Sequence, residues 1–195
     1  MKKLKALDQV YDRDPKTNAY VINVVVNRYE DIFNNLDPSP FKRRDLNSNL
    51  ISFLEDCSSD IPLRQKTIIK FKVPSSVRKQ DLEDLIKAGL RTYFSFIMSS
   101  YSRRIEVTNK RSIFFVGISF ILLLAASFMS SLDIQNLLFV TLNEGIFIGG
   151  WVFMWEAISS YWINKKEIKN RYRHYKRFFD SPINFQSYEI TESNA

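Results

Sequence analysis

Cysteine, histidine and glycine are scarce in this chain, and each scarcity closes off a class of function. Cys57 is the only cysteine, so one chain forms no disulfide framework, which fits a reducing compartment. His174 is the only histidine, so the histidine clusters typical of zinc sites are missing. The five glycines form no phosphate-cradling loop, and no serine sits in a GxSxG setting. Glu55, Asp56 and Asp60 beside Cys57 read as a helix end rather than as an acid pair. No enzyme activity and no cofactor are expected. The start is lysine-rich but runs on through Asp8, Asp12 and Asp14 with no apolar stretch, so it does not read as a secretory signal.

Positive charge, by contrast, is in excess. Twenty-eight Lys and Arg against 21 Asp and Glu give a net charge of +7, which in a soluble protein would suggest nucleic acid. The placement of that charge favours another reading. Mean hydropathy is only −0.20 because a long apolar block is averaged with strongly charged flanks.

From Ser112 to Ser131 the chain carries no charge. At about 1.5 Å per residue this twenty-residue run is ~30 Å long as a helix, the thickness of a bilayer's hydrocarbon core. A polar turn over 132–136 follows, then a second apolar stretch over 137–163. Arg103, Arg104, Lys110 and Arg111 precede the block, and a run of basic residues from Lys165 follows it, whereas the turn has none. Positive residues stay inside, so both termini are expected in the cytoplasm and the turn outside, as in a bacterial inner-membrane protein.

Two carboxylates, Glu144 and Glu156, interrupt the second stretch. A charge at the bilayer centre costs ~3 kcal/mol or more, so such groups usually face protein or water. Glu144, with Asn143 beside it, lies near ~10 Å deep by helical rise and is the candidate pore or polar membrane site. Glu156 lies near the inner interface, within reach of a snorkelling Lys165 or Lys166. Thr141, Gly145 and Gly149 share one helical face, and Gly145–Gly149 is a GxxxG match that permits close helix approach. Ser112, Ser119, Ala126 and Ser130 form a small-residue face on the first span. These two faces are expected to pack within the hairpin and between copies. The tryptophans of the second span read as membrane packing and interface anchoring.

Residues 1–18 read as a mobile lead-in. Tyr20–Val26 reads as a buried strand, and Asp37-Pro38-Ser39-Pro40 as a turn. Asp45 is placed to cap a helix carrying Leu46, Leu50, Phe53 and Leu54 on one face. Thr67–Val73 forms a second strand, and a long helix follows through Tyr101. The fold class is therefore an α+β membrane protein: a two-helix transmembrane hairpin with a small cytoplasmic α/β domain (strand, helix, strand, helix) over 19–111. Residues 164–195 form a basic cytoplasmic helix and tail, in which Ile183, Phe185, Ser187 and Tyr188 are strand-like. A third strand there would relieve the marginal stability of a two-stranded sheet.

Lys165, Lys166, Lys169, Arg171, Arg173, Lys176 and Arg177 make this helix a candidate surface for anionic lipid, or for nucleotide or nucleic acid gripped between base-stacking tyrosines. The leading expectation is a homo-oligomeric membrane protein forming a narrow pore or polar cavity regulated by its cytoplasmic domain. That layout resembles small bacterial channel effectors of stress or defence. A membrane anchor that recruits a cytoplasmic partner is the first alternative. A membrane-attached module for an anionic ligand is the second.

Overall fold

The computed structural model describes residues 7–132 and 134–189, apart from the side chain of Ile163. Residues 1–6, Asp133 of the polar turn and the tail from 190 lie outside the described residues. The chain divides into two compact units, one built from residues 1–99 and 172–195, the other from 100–171.

The first unit is organised on three strands, β1 (Tyr20–Val25), β2 (Thr67–Pro74) and β3 (Ile183–Tyr188), ordered β1-β2-β3. Both pairings are parallel, with Ile22 opposite Ile69 and Phe71 opposite Phe185. A parallel pair needs a crossover. The β1–β2 crossover contains helix α1 (Ser48–Asp60). The β2–β3 crossover is far longer. It passes in turn through helix α2 (Gln80–Ser130), α3 (Leu137–Ser159), a π-helical turn (Ser160–Asn164) and α4 (Lys165–Asp180). The whole second unit is thus inserted between two neighbouring strands.

Strand β2 is central because it pairs on both sides. Ile68, Ile69, Phe71 and Val73 are all buried, and Lys70 and Lys72 between them are half-buried, as suits a parallel strand covered on both faces. On α2, Ile86, Leu90 and Phe94 follow helical spacing and are buried. Phe94 packs on Phe178 and Tyr175 of α4, with ring centroids 5.5 and 6.4 Å apart. Gly89 is required where the loop before α1 crosses α2, because a Cβ there would lie 2.3 Å from the Phe41 carbonyl oxygen.

Three details differ from the sequence reading. The cap of α1 is Asn47, whose Oδ1 accepts the Asn49 N–H at 2.9 Å. Asp45, the expected cap, instead gives its backbone N–H to the Asp37 carboxylate at 2.8 Å. Residues 7–18, expected to be a mobile lead-in, make specific contacts: Leu7 is buried, the Asp12 carbonyl accepts the Val21 N–H, and Arg13 pairs with Asp8 at 2.7 Å. Arg177, expected on an exposed basic face, is turned inward. Its guanidinium donates to the carbonyls of Ser58 and Ile61, satisfying acceptors left open at the C-terminal end of α1.

In the second unit the usual burial pattern is reversed. In the most apolar stretches of the two long helical segments only 17% and 6% is buried. Phe128 and Trp155 are 68% and 72% exposed. A core helix of a water-soluble domain would hide such residues, and exposed apolar area on this scale marks an interaction surface. The protein is a mixed helix-and-strand molecule with two apolar helices long enough to cross a membrane.

Candidate functional site

The two apolar helices pack antiparallel along a seam of small residues. On α2 the seam is Ser112, Ser119 and Ala126, seven residues apart and all buried. On α3 it is Asn143, Gly150 and Ala157, again seven apart, with Gly150 and Ala157 buried and Asn143 half-buried. Seven-residue spacing keeps one stripe facing a partner helix over several turns. At mid-seam the Ser119 hydroxyl donates to the Gly150 carbonyl oxygen at 2.7 Å. A Cβ on Gly150 would lie 2.8 Å from two Leu123 side-chain carbons, so only glycine fits without displacing Leu123. Phe115 and Phe153 pack across the same seam, with centroids 5.8 Å apart.

The polar turn end of the seam holds the candidate polar site. Asn143 Nδ2 donates to the Ser130 hydroxyl oxygen at 2.7 Å, while Ser130 donates to the Ala126 carbonyl at 3.0 Å. Asn143 Oδ1 is buried without a hydrogen-bond partner. Next to it opens a cleft of about 500 Å³ whose polar wall is Ser127, Ser130, Asn143 and Glu144, and whose apolar wall includes Phe147 and Ile148. Glu144 is exposed and makes no hydrogen bond or ion pair among the described residues. One turn of helix therefore carries a carboxylate and an unpaired amide oxygen, two groups that hydrocarbon alone cannot satisfy.

The other residues singled out in the sequence separate into distinct settings. Ser119 and Ala126 lie in the seam. Thr141 and Gly145 lie off it, both exposed, and nothing stands within 4 Å of a Cβ built on Gly145. Gly149 is half-buried, with Leu122 Cδ1 3.9 Å from the corresponding position. The GxxxG face thus points largely away from the hairpin's own contact, and the close-packed glycine is Gly150. The signal for Gly150 was present in the sequence, since 143, 150 and 157 repeat the spacing of 112, 119 and 126.

Glu156 pairs with Arg111 of the facing helix at 3.3 Å rather than with Lys165 or Lys166. The Lys165 ammonium instead lies over the Tyr161 ring, 4.3 Å from its centroid. Lys166 and Lys169 are exposed, and Arg171 approaches Glu167 at 4.0 Å. Arg173 and Lys176 belong to the first unit.

Comparison with protein-family models, curated proteins and solved structures finds no match for this chain. The functional reading therefore rests on the geometry.

Proposed function

We propose that the protein is an integral membrane protein whose helical hairpin crosses the bilayer with both termini and the α/β unit in the cytoplasm. Its copies assemble so that Glu144 and Asn143 line a narrow pore or polar cavity. The exposed, unpartnered Glu144 on an otherwise apolar surface carries this reading. Facing lipid, its charge would cost ~3 kcal/mol or more. Facing a second copy or a hydrated path, it is solvated. Thr141 and Gly145 lie on a face left open to such a neighbour, and small residues allow the backbones to approach.

The topology rests on charge placement. Basic residues cluster before Ser112 and after Asn164, and none occurs between Ser131 and Asn136. Regulation by the cytoplasmic unit is supported by connectivity. Helix α2 runs for 51 residues without interruption, about 75 Å by helical rise, and its first half carries the buried Ile86, Leu90 and Phe94 of the sheet domain. A shift in that domain has a continuous helical route to the apolar unit.

The test is ion flux in liposomes beside the mass of the detergent-solubilised particle. Wild type is expected to be oligomeric and conducting. Glu144→Gln keeps shape and one acceptor but removes the charge, so it is expected to assemble normally with altered flux or selectivity. Glu156→Gln is expected to change flux less, because Glu156 already has Arg111. A monomeric particle would overturn the pore, and an oligomer that never conducts would favour an anchor that recruits a cytoplasmic partner.

A further inference from the structure

In the sheet-bearing unit a cleft of about 760 Å³ lies at the N-terminal ends of the strands, where Ala19, Thr67 and Pro182 come together. Its walls come from three stretches of chain: the segment just before β1, the loop between α1 and β2, and the last turns of α4 with the residues that follow. The loop contributes Arg64 and Lys66, and α4 contributes Arg173 and Lys176. All four are exposed. None makes an ion pair among the described residues, and Asp180 is the sole acid lining the cleft. Arg177 adds a fifth positive charge from inside the wall. Burial lowers its pKa to about 10, so it stays protonated at neutral pH, and its buried Nε–H has no acceptor.

Four unpaired cations around one concavity repel one another and focus a positive potential into it. An anion entering there would relieve that repulsion. The arginines offer planar pairs of donors that match a phosphate's oxygens, and the lysines act as point charges. Ala19, Leu63 and Ile68 add apolar side chains to the lining. The volume falls within the ~300–1,000 Å³ typical of small-molecule sites. A lining that combines basic and apolar side chains suits a ligand with a phosphate and an organic body.

We propose that this cleft binds a phosphate-bearing small molecule of nucleotide size, held by Arg64, Lys66, Arg173 and Lys176. The phosphate has two sources, a free nucleotide or a lipid headgroup. This binding deepens the regulatory part of the reading above by giving the cytoplasmic unit a ligand, yet it requires neither conductance nor assembly.

The experiment uses the full chain in nanodiscs, with ATP and inorganic pyrophosphate as soluble probes and calorimetry as the readout. In zwitterionic phosphatidylcholine discs ATP is expected to bind, with pyrophosphate competing. Lys66→Glu and Arg173→Glu are each expected to weaken binding at least about tenfold, as loss of one charge-assisted contact implies. Lys42→Glu, an exposed site outside the cleft, makes the same charge change and is expected to shift affinity less than about twofold. If ATP does not bind, discs containing phosphatidylglycerol are examined by native mass spectrometry. Retention of that lipid by wild type and its loss in Lys66→Glu and Arg173→Glu would support the headgroup as the source. Absence of both ATP binding and cleft-dependent lipid retention overturns the proposal, as does equal loss in Lys42→Glu. Lys66→Gln provides a milder change should a charge reversal fail to fold. Failure here leaves the flux test of Glu144 untouched, and failure there leaves this binding test untouched.

Discussion

The two units of this chain use the same aromatic residues in opposite ways. In the sheet unit Phe71, Phe94 and Phe178 are almost fully buried, whereas in the helical unit Phe114, Phe120 and Phe128 are all more than half exposed. The first pattern is that of a chain folding in water, where hiding apolar surface is the main driving force. The second follows when the surroundings are themselves apolar. Helices then gain little by hiding phenyl rings and meet through small residues and hydrogen bonds instead. The seam of Ser112, Ser119 and Ala126 against Asn143, Gly150 and Ala157 is built that way, and the Phe94–Phe178–Tyr175 cluster is not.

The contrast breaks most easily at the aromatics. Phe71→Ala removes a fully buried ring from the central strand and is expected to destabilise the sheet unit by about 3–5 kcal/mol. Phe120→Ala removes an exposed ring from the helical unit and is expected to change stability in detergent by less than about 0.5 kcal/mol. Denaturant unfolding of the solubilised protein, followed by near-ultraviolet circular dichroism, separates the two. Equal effects would mean that the helical unit buries its rings in another packing.

The seam is sharpened by glycine. Gly150→Leu forces a side chain onto Leu123 and is expected to cost the hairpin about 1–3 kcal/mol. A Cβ on Gly145 meets nothing within 4 Å, so the hairpin should tolerate Gly145→Leu while the particle mass falls if copies pack there. A short bifunctional reagent joining Phe115→Cys to Phe153→Cys, in a Cys57→Ser background, reports hairpin closure. Loss of that cross-link with Gly145→Leu but not with Gly150→Leu would reverse the assignment of the two glycines.

The smallest effect lies at the surface of the sheet unit. Hydrogen bonds from the Asp45 backbone N–H and from Ser39 hold the Asp37 carboxyl below its ordinary value. The folded state binds that proton less readily than the unfolded chain does. The resulting stabilisation is present above the ordinary value of 3.8 and is lost as pH falls through the lower folded value. Asp37→Asn is therefore expected to flatten a small part of the melting-temperature decline between about pH 5 and pH 2. A decline identical to wild type would mean that the loop-closing hydrogen bonds contribute no measurable stability.

Much of the fold was legible because it is written in short-range pattern. The two strands at Tyr20 and Thr67 announce themselves by β-branched runs, and the stretch at Ile183 by its apolar residues after Pro182. Where the cap of α1 falls was not legible, since Asn47 and Asp45 are both good caps and only the bridging of the 45–47 backbone to Ile32, Phe33 and Asn34 delays the helix start to Asn47. The inward turn of Arg177 was hidden for a similar reason. Its neighbours make a basic face, and the carbonyls it satisfies belong to Ser58 and Ile61, more than a hundred positions earlier. The basic cleft was likewise divided between distant segments, so neither Arg64 nor Lys66 stood out in the sequence.

Properties that are sums along the chain were fixed by the sequence alone: the length of the uncharged runs, the asymmetry of lysine and arginine around them, and the scarcity of metal-binding and redox-active residues. These depend on neighbours a few positions away, and helical rise converts them directly into distances. Only the tertiary structure decided which face of each apolar helix meets the other, which glycine must be a glycine, and that β3 returns beside β2 after the entire helical excursion. Those outcomes depend on contacts between residues far apart in the chain, where several pairings satisfy the local pattern and close packing admits one.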